Sequence, residues 1–191
     1  MHRLSPSKCI LLLCDVQERF RTKIYKFDAV IDAANRLIHA ANTLKIPIIA
    51  TEQYPKALGT TVNEIDLKKI DHKFEKTCFT MLSPEVNACI ETMDFDAAVL
   101  VGIEAHVCVQ QTALDLITQG KSVHLCVDGI SSQRPTDRSA GLFRAERAGA
   151  VLTSAESVMM ELIRGKDHPH FKEISSILKS ERPAQELEFP Y

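Results

Sequence analysis

The sequence predicts an α/β fold: a three-layer α/β/α sandwich with helices on both faces of a mostly parallel sheet of about six strands. Two observations predict it. Short continuous apolar runs recur along the chain, and most are followed by a segment with apolar residues at three- and four-residue steps. Uninterrupted apolar runs mark strands buried on both faces, and parallel neighbours need a helical crossover between them. Right-handed crossovers then distribute the helices over the two faces.

The first run, residues 9–14 (CILLLC), ends at Asp15. A helix is expected over about 27–44, where Val30, Ala33, Ala34, Leu37, Ile38 and Ala41 share one face. Pro47 opens a second strand at 48–51; residues 53–72 read as a polar loop and 74–79 as a short third strand. Ser83-Pro84-Glu85 starts a helix, because Ser caps and Pro suits the first turn. The strongest strand is 97–102 (AAVLVG), and a helix from about 107 to 119 ends at Gly120, where a left-handed residue is favoured. A fifth strand follows at 122–127, a helix at 137–148 and a sixth strand at 151–153. Beyond Ala155 one or two helices are expected, broken by Gly165 and the Asp167-His168-Pro169 turn. The whole chain, 1–191, reads as one domain with its core over about 9–162 and a helical extension over about 163–191.

Composition limits the function classes. A chain of 191 residues buries about 70% of its unfolded surface, enough for one filled core. With 45% hydrophobic and 25% charged residues it is an ordinary globular sequence. Basic and acidic residues number 23 and 25, and no segment concentrates Lys and Arg, which argues against nucleic acid as the main partner. No apolar stretch reaches membrane-spanning length, so no membrane association is expected. The six cysteines show neither C-x-x-C pairing nor zinc-ligand spacing. Reduced thiols imply an intracellular, cytoplasmic or mitochondrial, location. Cys9, Cys14 and Cys126 lie in apolar strand-like runs and Cys89 in a helix-like one, where cysteine behaves as a small hydrophobe.

In an open α/β sheet the ligand crevice lies beyond the carboxyl ends of the strands. The residues that follow the apolar runs are Asp15, Thr51-Glu52-Gln53, Glu104-Ala105-His106-Val107-Cys108 and Asp128-Gly129. Cys108 stands apart from the other cysteines because a strand and a turn give way there to a helix. Unpaired N–H groups at a helix start favour thiolate over thiol and can stabilise an oxyanion. Asp15 would come close to Cys108 if the first and fourth strands are neighbours; as an isolated residue it reads equally well as a turn or capping carboxylate.

The stretches L-L-L-C-D15-V-Q17, F-E-K76-T-C-F79 and G102-I-E-A-H-V-C108-V109-Q-Q-T112 together resemble the isochorismatase-like, or cysteine hydrolase, superfamily over about residues 9–162. CDVQERF, ATEQYPKALGTT and GIEAHVCVQQTALDL most resemble its isochorismatase domain-containing members. The resemblance implies a Rossmann-like fold with Cys108 as nucleophile, Asp15 as general base and acid, and Lys76 as the cation that favours thiolate. It also implies a cis peptide at Ile103-Glu104, an oxyanion hole of backbone N–H groups near Glu104 and Cys108, no cofactor, and a homo-oligomer. The implied activity is hydrolysis of a small amide or related C–N substrate through a thioester. Relatives of the nicotinamidase type carry an Asp-x-His metal motif where this chain reads Glu52-Gln53-Tyr54, so no metal is expected; His72, His168 and His170 stand as isolated histidines in polar loops. Gln17, Phe20, Gln53, Tyr54 and His106 are candidate pocket residues because they follow strand ends.

Three other readings stay open. Vinyl-ether hydrolysis, as in true isochorismatases, would rest on Asp15 alone. A scaffold or redox-sensing protein could keep the fold without turnover. RNA-directed activity has the least support, since neither a basic stripe nor an aromatic stacking platform is visible.

Overall fold

The computed structural model describes residues 3–184 and 186–190. Six strands, β1 (Cys9–Cys14), β2 (Ile48–Gln53), β3 (His72–Lys76), β4 (Ala97–Ile103), β5 (Ser122–Ser131) and β6 (Val151–Thr153), form one sheet. Its order is β3-β2-β1-β4-β5-β6, and every pairing is parallel. The connections between strands carry α1 (Phe27–Leu44), α2 (Pro55–Leu58), α3 (Pro84–Glu91), α4 (Gln110–Thr118) and α5 (Pro135–Arg147), and α6 (Ala155–Ile163) and α7 (Phe171–Leu178) follow β6.

The continuous apolar character of β1 and β4 follows from their central place: every residue in both is buried. Strand alternation divides β1 between two cores. Cys9, Leu11 and Leu13 face a cluster built with α1, α6 and α7, whereas Ile10, Leu12 and Cys14 face one built with α3, α4 and α5. Leu187, beyond α7, packs into the first cluster.

Departures from the sequence-based expectations have local causes. β3 occupies 72–76 and not 74–79, because it is an edge strand with mostly exposed residues and therefore no apolar signature. The chain curls away after Lys76, and its ammonium donates to the carbonyls of Cys78 and Phe79 in that curl. The expected loop at 53–72 contains α2 and a 3-10 turn, Leu67–Lys69. β5 continues to Ser131, past the expected end at 127, through an irregularity in its pairing with β4 between Leu100 and Gly102. Asp128 and Gly129 thus lie inside the strand and not beyond its end; the Asp128 carboxylate accepts from the Ala155 N–H at the start of α6. The segment expected to be one helix from 107 is a π-helical turn, Ala105–Val109, leading into α4.

No helix among the described residues is long and apolar enough to cross a membrane.

Candidate active site

The strand order reverses direction at β1 and β4, which makes the carboxyl ends of these two strands the crevice of the sheet. They meet there in tight register, Cys14 opposite Gly102. Gly102 has φ 123°, and a Cβ on it would fall 2.1 Å from the Cys14 carbonyl oxygen, so only glycine lets the strands approach this closely. Beyond the pair the chain turns sharply on both sides: Asp15 adopts φ 52°, and the Ile103–Glu104 peptide is cis.

Asp15, Lys76 and Cys108 converge at this point from three different elements. Lys76 Nζ lies 2.7 Å from Asp15 Oδ2 and 3.6 Å from Cys108 Sγ. Asp15 and Lys76 are sealed from solvent, and Cys108 is 7% exposed. A buried ion pair needs its remaining donors and acceptors satisfied. Thr51 Oγ1 donates to Asp15 Oδ1 at 2.8 Å, and Lys76 also donates to Gln53 Oε1 at 2.6 Å and to the Cys78 and Phe79 carbonyls. Burial works against the Lys76 charge, but Cys14, Asp15 and Cys108 outweigh it and hold the ammonium above the ordinary lysine value.

The nucleophile candidate is carried by the π-helical turn. Val107 and Val109 both donate their N–H to the Glu104 carbonyl, closing the turn. Thr112 ties it to the Lys76 side of the site: its hydroxyl donates to the Cys108 carbonyl at 2.7 Å and accepts from Met81 N at 2.8 Å. From behind, Gly141 of α5 comes so near that a Cβ there would lie 2.5 Å from the Ala105 oxygen. The Glu104 carboxylate accepts from Gln133 N, which joins the turn to the end of β5.

The candidate pocket residues separate into different roles. Gln53 touches the site directly through Lys76. His106 stands on the turn, half-buried, with Nδ1 3.0 Å from Ser132 Oγ. Tyr54 is 50% exposed and, with Lys76 and Cys78, lines a surface depression outside β3. Gln17 is not a pocket wall. It is fully buried, and its amide clamps the loop by binding the Gln53 and Gly59 carbonyls and the Gln53 N–H. Phe20 packs partly buried against the first core cluster.

Glu52 is occupied structurally: it accepts from Thr61 N, Thr61 Oγ1 and Lys73 Nζ. Among the described residues no three His, Cys, Asp or Glu side chains converge as metal ligands. Two residues escaped the sequence reading. Thr51 was visible only as a polar residue at a strand end. Cys14, read as a small hydrophobe, lies against the site with Sγ 3.6 Å from Asp15 Oδ2. Its one legible signal was its place as the last strand residue before Asp15.

The isochorismatase-domain model matches residues 9–157, most of the chain and all three converging side chains. The chain belongs to the isochorismatase family. Isochorismatase domain-containing protein 1 of Danio rerio is 45% identical over 96% of this chain, which spans 65% of that relative's length. Isochorismatase domain-containing protein 2 of Xenopus laevis is 41% identical over 95% of this chain and 88% of its own. Among solved structures, the MAR1 ribonuclease of Caenorhabditis elegans superposes with a TM-score of 0.90 at 41% identity, covering 95% of each chain. The three-layer α/β/α architecture is therefore that of the isochorismatase family.

Proposed function

We propose that the chain is a hydrolase of small amides or related C–N substrates, with Cys108 as nucleophile, Asp15 as general base and acid, and Lys76 as the cation between them. The observation that supports this most is the shared ammonium, 2.7 Å from the carboxylate and 3.6 Å from the sulfur. Positive charge beside a thiol favours the thiolate, which is the attacking form.

Asp15 accepts the Cys108 proton, and the sulfur bonds to the substrate carbonyl carbon. The oxyanion that forms is stabilised by backbone N–H groups near Glu104 and Cys108 and by the Lys76 charge. Collapse breaks the C–N bond, Asp15 returns its proton to the departing nitrogen, and a thioester remains. Asp15 then takes a proton from water, whose oxygen attacks the thioester carbon and releases the acid and the thiol. Thr51 and Gln53 act as positioning residues, one for the carboxylate and one for the ammonium.

The test is a screen of small amides by intact mass of wild-type protein and of Cys108→Ala. A thioester adduct on Cys108, with turnover absent from the variant, is the expected result. Full activity in Cys108→Ala would remove the thiol from the reaction and favour protonation chemistry by Asp15, as in vinyl-ether hydrolysis.

A second reading, RNA cleavage, is favoured by one observation, the name of the C. elegans structure that this chain matches at 41% identity over 95% of its length. Incubation of purified wild type, Cys108→Ala and Asp15→Asn with a labelled single-stranded RNA separates the readings. Cleavage that disappears in both variants supports RNA as substrate, and cleavage equal in all three assigns it to a contaminant.

A further inference from the structure

β3 closes one side of the sheet, paired with β2 alone, and its His72, Lys73 and Glu75 are exposed. Such an edge offers unpaired N–H and C=O groups to a further strand. Which residues offer them follows from one bond: the Tyr54 N–H donates to the Lys76 carbonyl at 2.8 Å, so Lys76 turns its backbone groups toward β2. In a parallel ladder that direction alternates along the strand. His72 and Phe74 therefore face β2 as well, and Lys73 and Glu75 present their N–H and C=O outward.

We propose that this edge docks a second copy of the chain, β3 against β3, in antiparallel pairing about a two-fold axis at Phe74. The inference is independent of the chemistry assigned to Cys108.

A two-fold at Phe74 sets Lys73 opposite Glu75 of the second copy, and Glu75 opposite its Lys73. These are the two positions whose backbone groups point outward, and directly opposed residues of that kind exchange both N–H···O=C bonds in an antiparallel ladder. Their side chains share one face of the strand and carry opposite charges, so each opposed pair is also a cation beside a carboxylate. Within the chain Glu75 stands in register with Glu52, a like charge, and has no ion pair among the described residues. Lys73 of the second copy supplies the missing cation. An unrelated strand could use the same backbone groups, but the order Lys-Phe-Glu is its own charge complement when reversed, and this selects a second copy.

The edge also lacks the usual devices that prevent pairing. Residues 72–76 contain no proline, and of the two lysines Lys76 points inward to Asp15. A strand of five residues falls short of the roughly 1,200–2,000 Å² that a specific interface buries, so neighbouring surface must join it. Three of the four large hydrophobic residues exposed among the described residues lie beside β3: Tyr54 bonded to its end, Leu67 on the turn before it and Phe79 just beyond it. Antiparallel pairing brings the segment that precedes one β3 next to the segment that follows the other, so Leu67 of one copy and Phe79 of the other come to the same end of the contact.

The full chain is sedimented over a range of micromolar concentrations, and exchange of the Lys73 and Glu75 amides is followed by NMR in the same samples. Wild type is expected to form pairs, or assemblies built of pairs, and both amides are expected to exchange more slowly as concentration rises. Glu75→Lys sets like charges opposite each other at both symmetric positions and should weaken the pairing by about tenfold. Lys73→Glu/Glu75→Lys restores opposite charges across the two-fold, with a cation again in register with Glu52, and should restore association. Glu75→Pro removes an outward N–H without costing a bond to β2 and should halve the assembly mass. The wild-type amides remain a readout even if a variant folds poorly. A monomer at every concentration with both amides freely exchanging overturns the proposal and leaves the edge open to a strand from another protein. An oligomer that Glu75→Lys and Glu75→Pro leave intact, with both amides still exchanging freely, overturns it by placing the contact elsewhere.

Discussion

Lys76 Nζ and Asp15 Oδ2 stand 2.7 Å apart in a setting with 0% and 2% side-chain exposure, so the ammonium and the carboxylate compensate each other's charge out of reach of water. Breaking such a pair from one side leaves an uncompensated buried charge and costs about 3–5 kcal/mol. Lys76→Met and Asp15→Asn are each expected to lose stability on that scale in chemical denaturation, and the double variant to lose clearly less than their sum. Additive losses would mean that the two charges do not depend on each other.

Thr51 contributes one hydrogen bond, from Oγ1 to Asp15 Oδ1 at 2.8 Å. Thr51→Val keeps the shape of the side chain and removes the donor, which for a bond to a charged group costs about 1.5–3 kcal/mol. Iodoacetamide labelling of Cys108 should slow by about tenfold at neutral pH if the carboxylate serves as its base. An unchanged rate, with stability lowered, would confine Thr51 to a structural role.

Glycine at 102 is a condition of the site itself. Gly102→Ala drives a Cβ to 2.1 Å from the Cys14 carbonyl oxygen at φ 123°, and the nearest atoms are all Cys14 backbone, so none is a flexible side-chain end that could yield. The expected loss exceeds about 4 kcal/mol, in the exceptional range for a single substitution. Gly141→Ala presses on the Ala105 oxygen from α5 and should impair Cys108 labelling with a smaller loss of stability. Wild-type melting of Gly102→Ala would contradict the strand approach described here.

The pH dependence of stability should carry the signature of Glu52. Burial pushes its carboxyl up, but Lys73 and the two Thr61 donors outweigh burial and hold it below the ordinary glutamate value. A carboxyl lowered in the folded state contributes stability above its unfolded value of about 4.3, and that contribution disappears as pH falls through the folded value. Glu52→Gln should therefore melt below wild type at pH 7, by about 2–4 °C for each kcal/mol lost. The gap should narrow as pH falls below about 4.3, and a gap of equal size at pH 7 and in acid would rule out this linkage.

Much of the fold was legible because it is written in local periodicity. The bounds of β1, α1 and β6 follow from the apolar runs and helical spacing of those segments alone. β3 was misplaced because an exposed edge strand has no reason to be apolar, and its extent is set by pairing with β2. The end of β5 was missed because its pairing with β4 resumes after an irregularity at Gly102↔Ile130, a relation between strands. At the site, Asp15 and Cys108 were visible as polar residues at strand ends, whereas Lys76, on the exposed edge strand, entered only through the resemblance to a family.

By itself the sequence determined the alternation of buried strands with helices and the strand ends, Asp15 and the turn to Cys108 among them, where chemistry could gather. Only the tertiary structure decided that one ammonium lies against both Asp15 and Cys108, that Gln17 is a clamp, and that the Cys14 thiol lies against the Asp15 carboxylate. The physical reason is range. Backbone preference and hydrophobic period act over a few residues, while the contacts of a buried polar atom are fixed by strand order, register and the face each residue takes in the sheet.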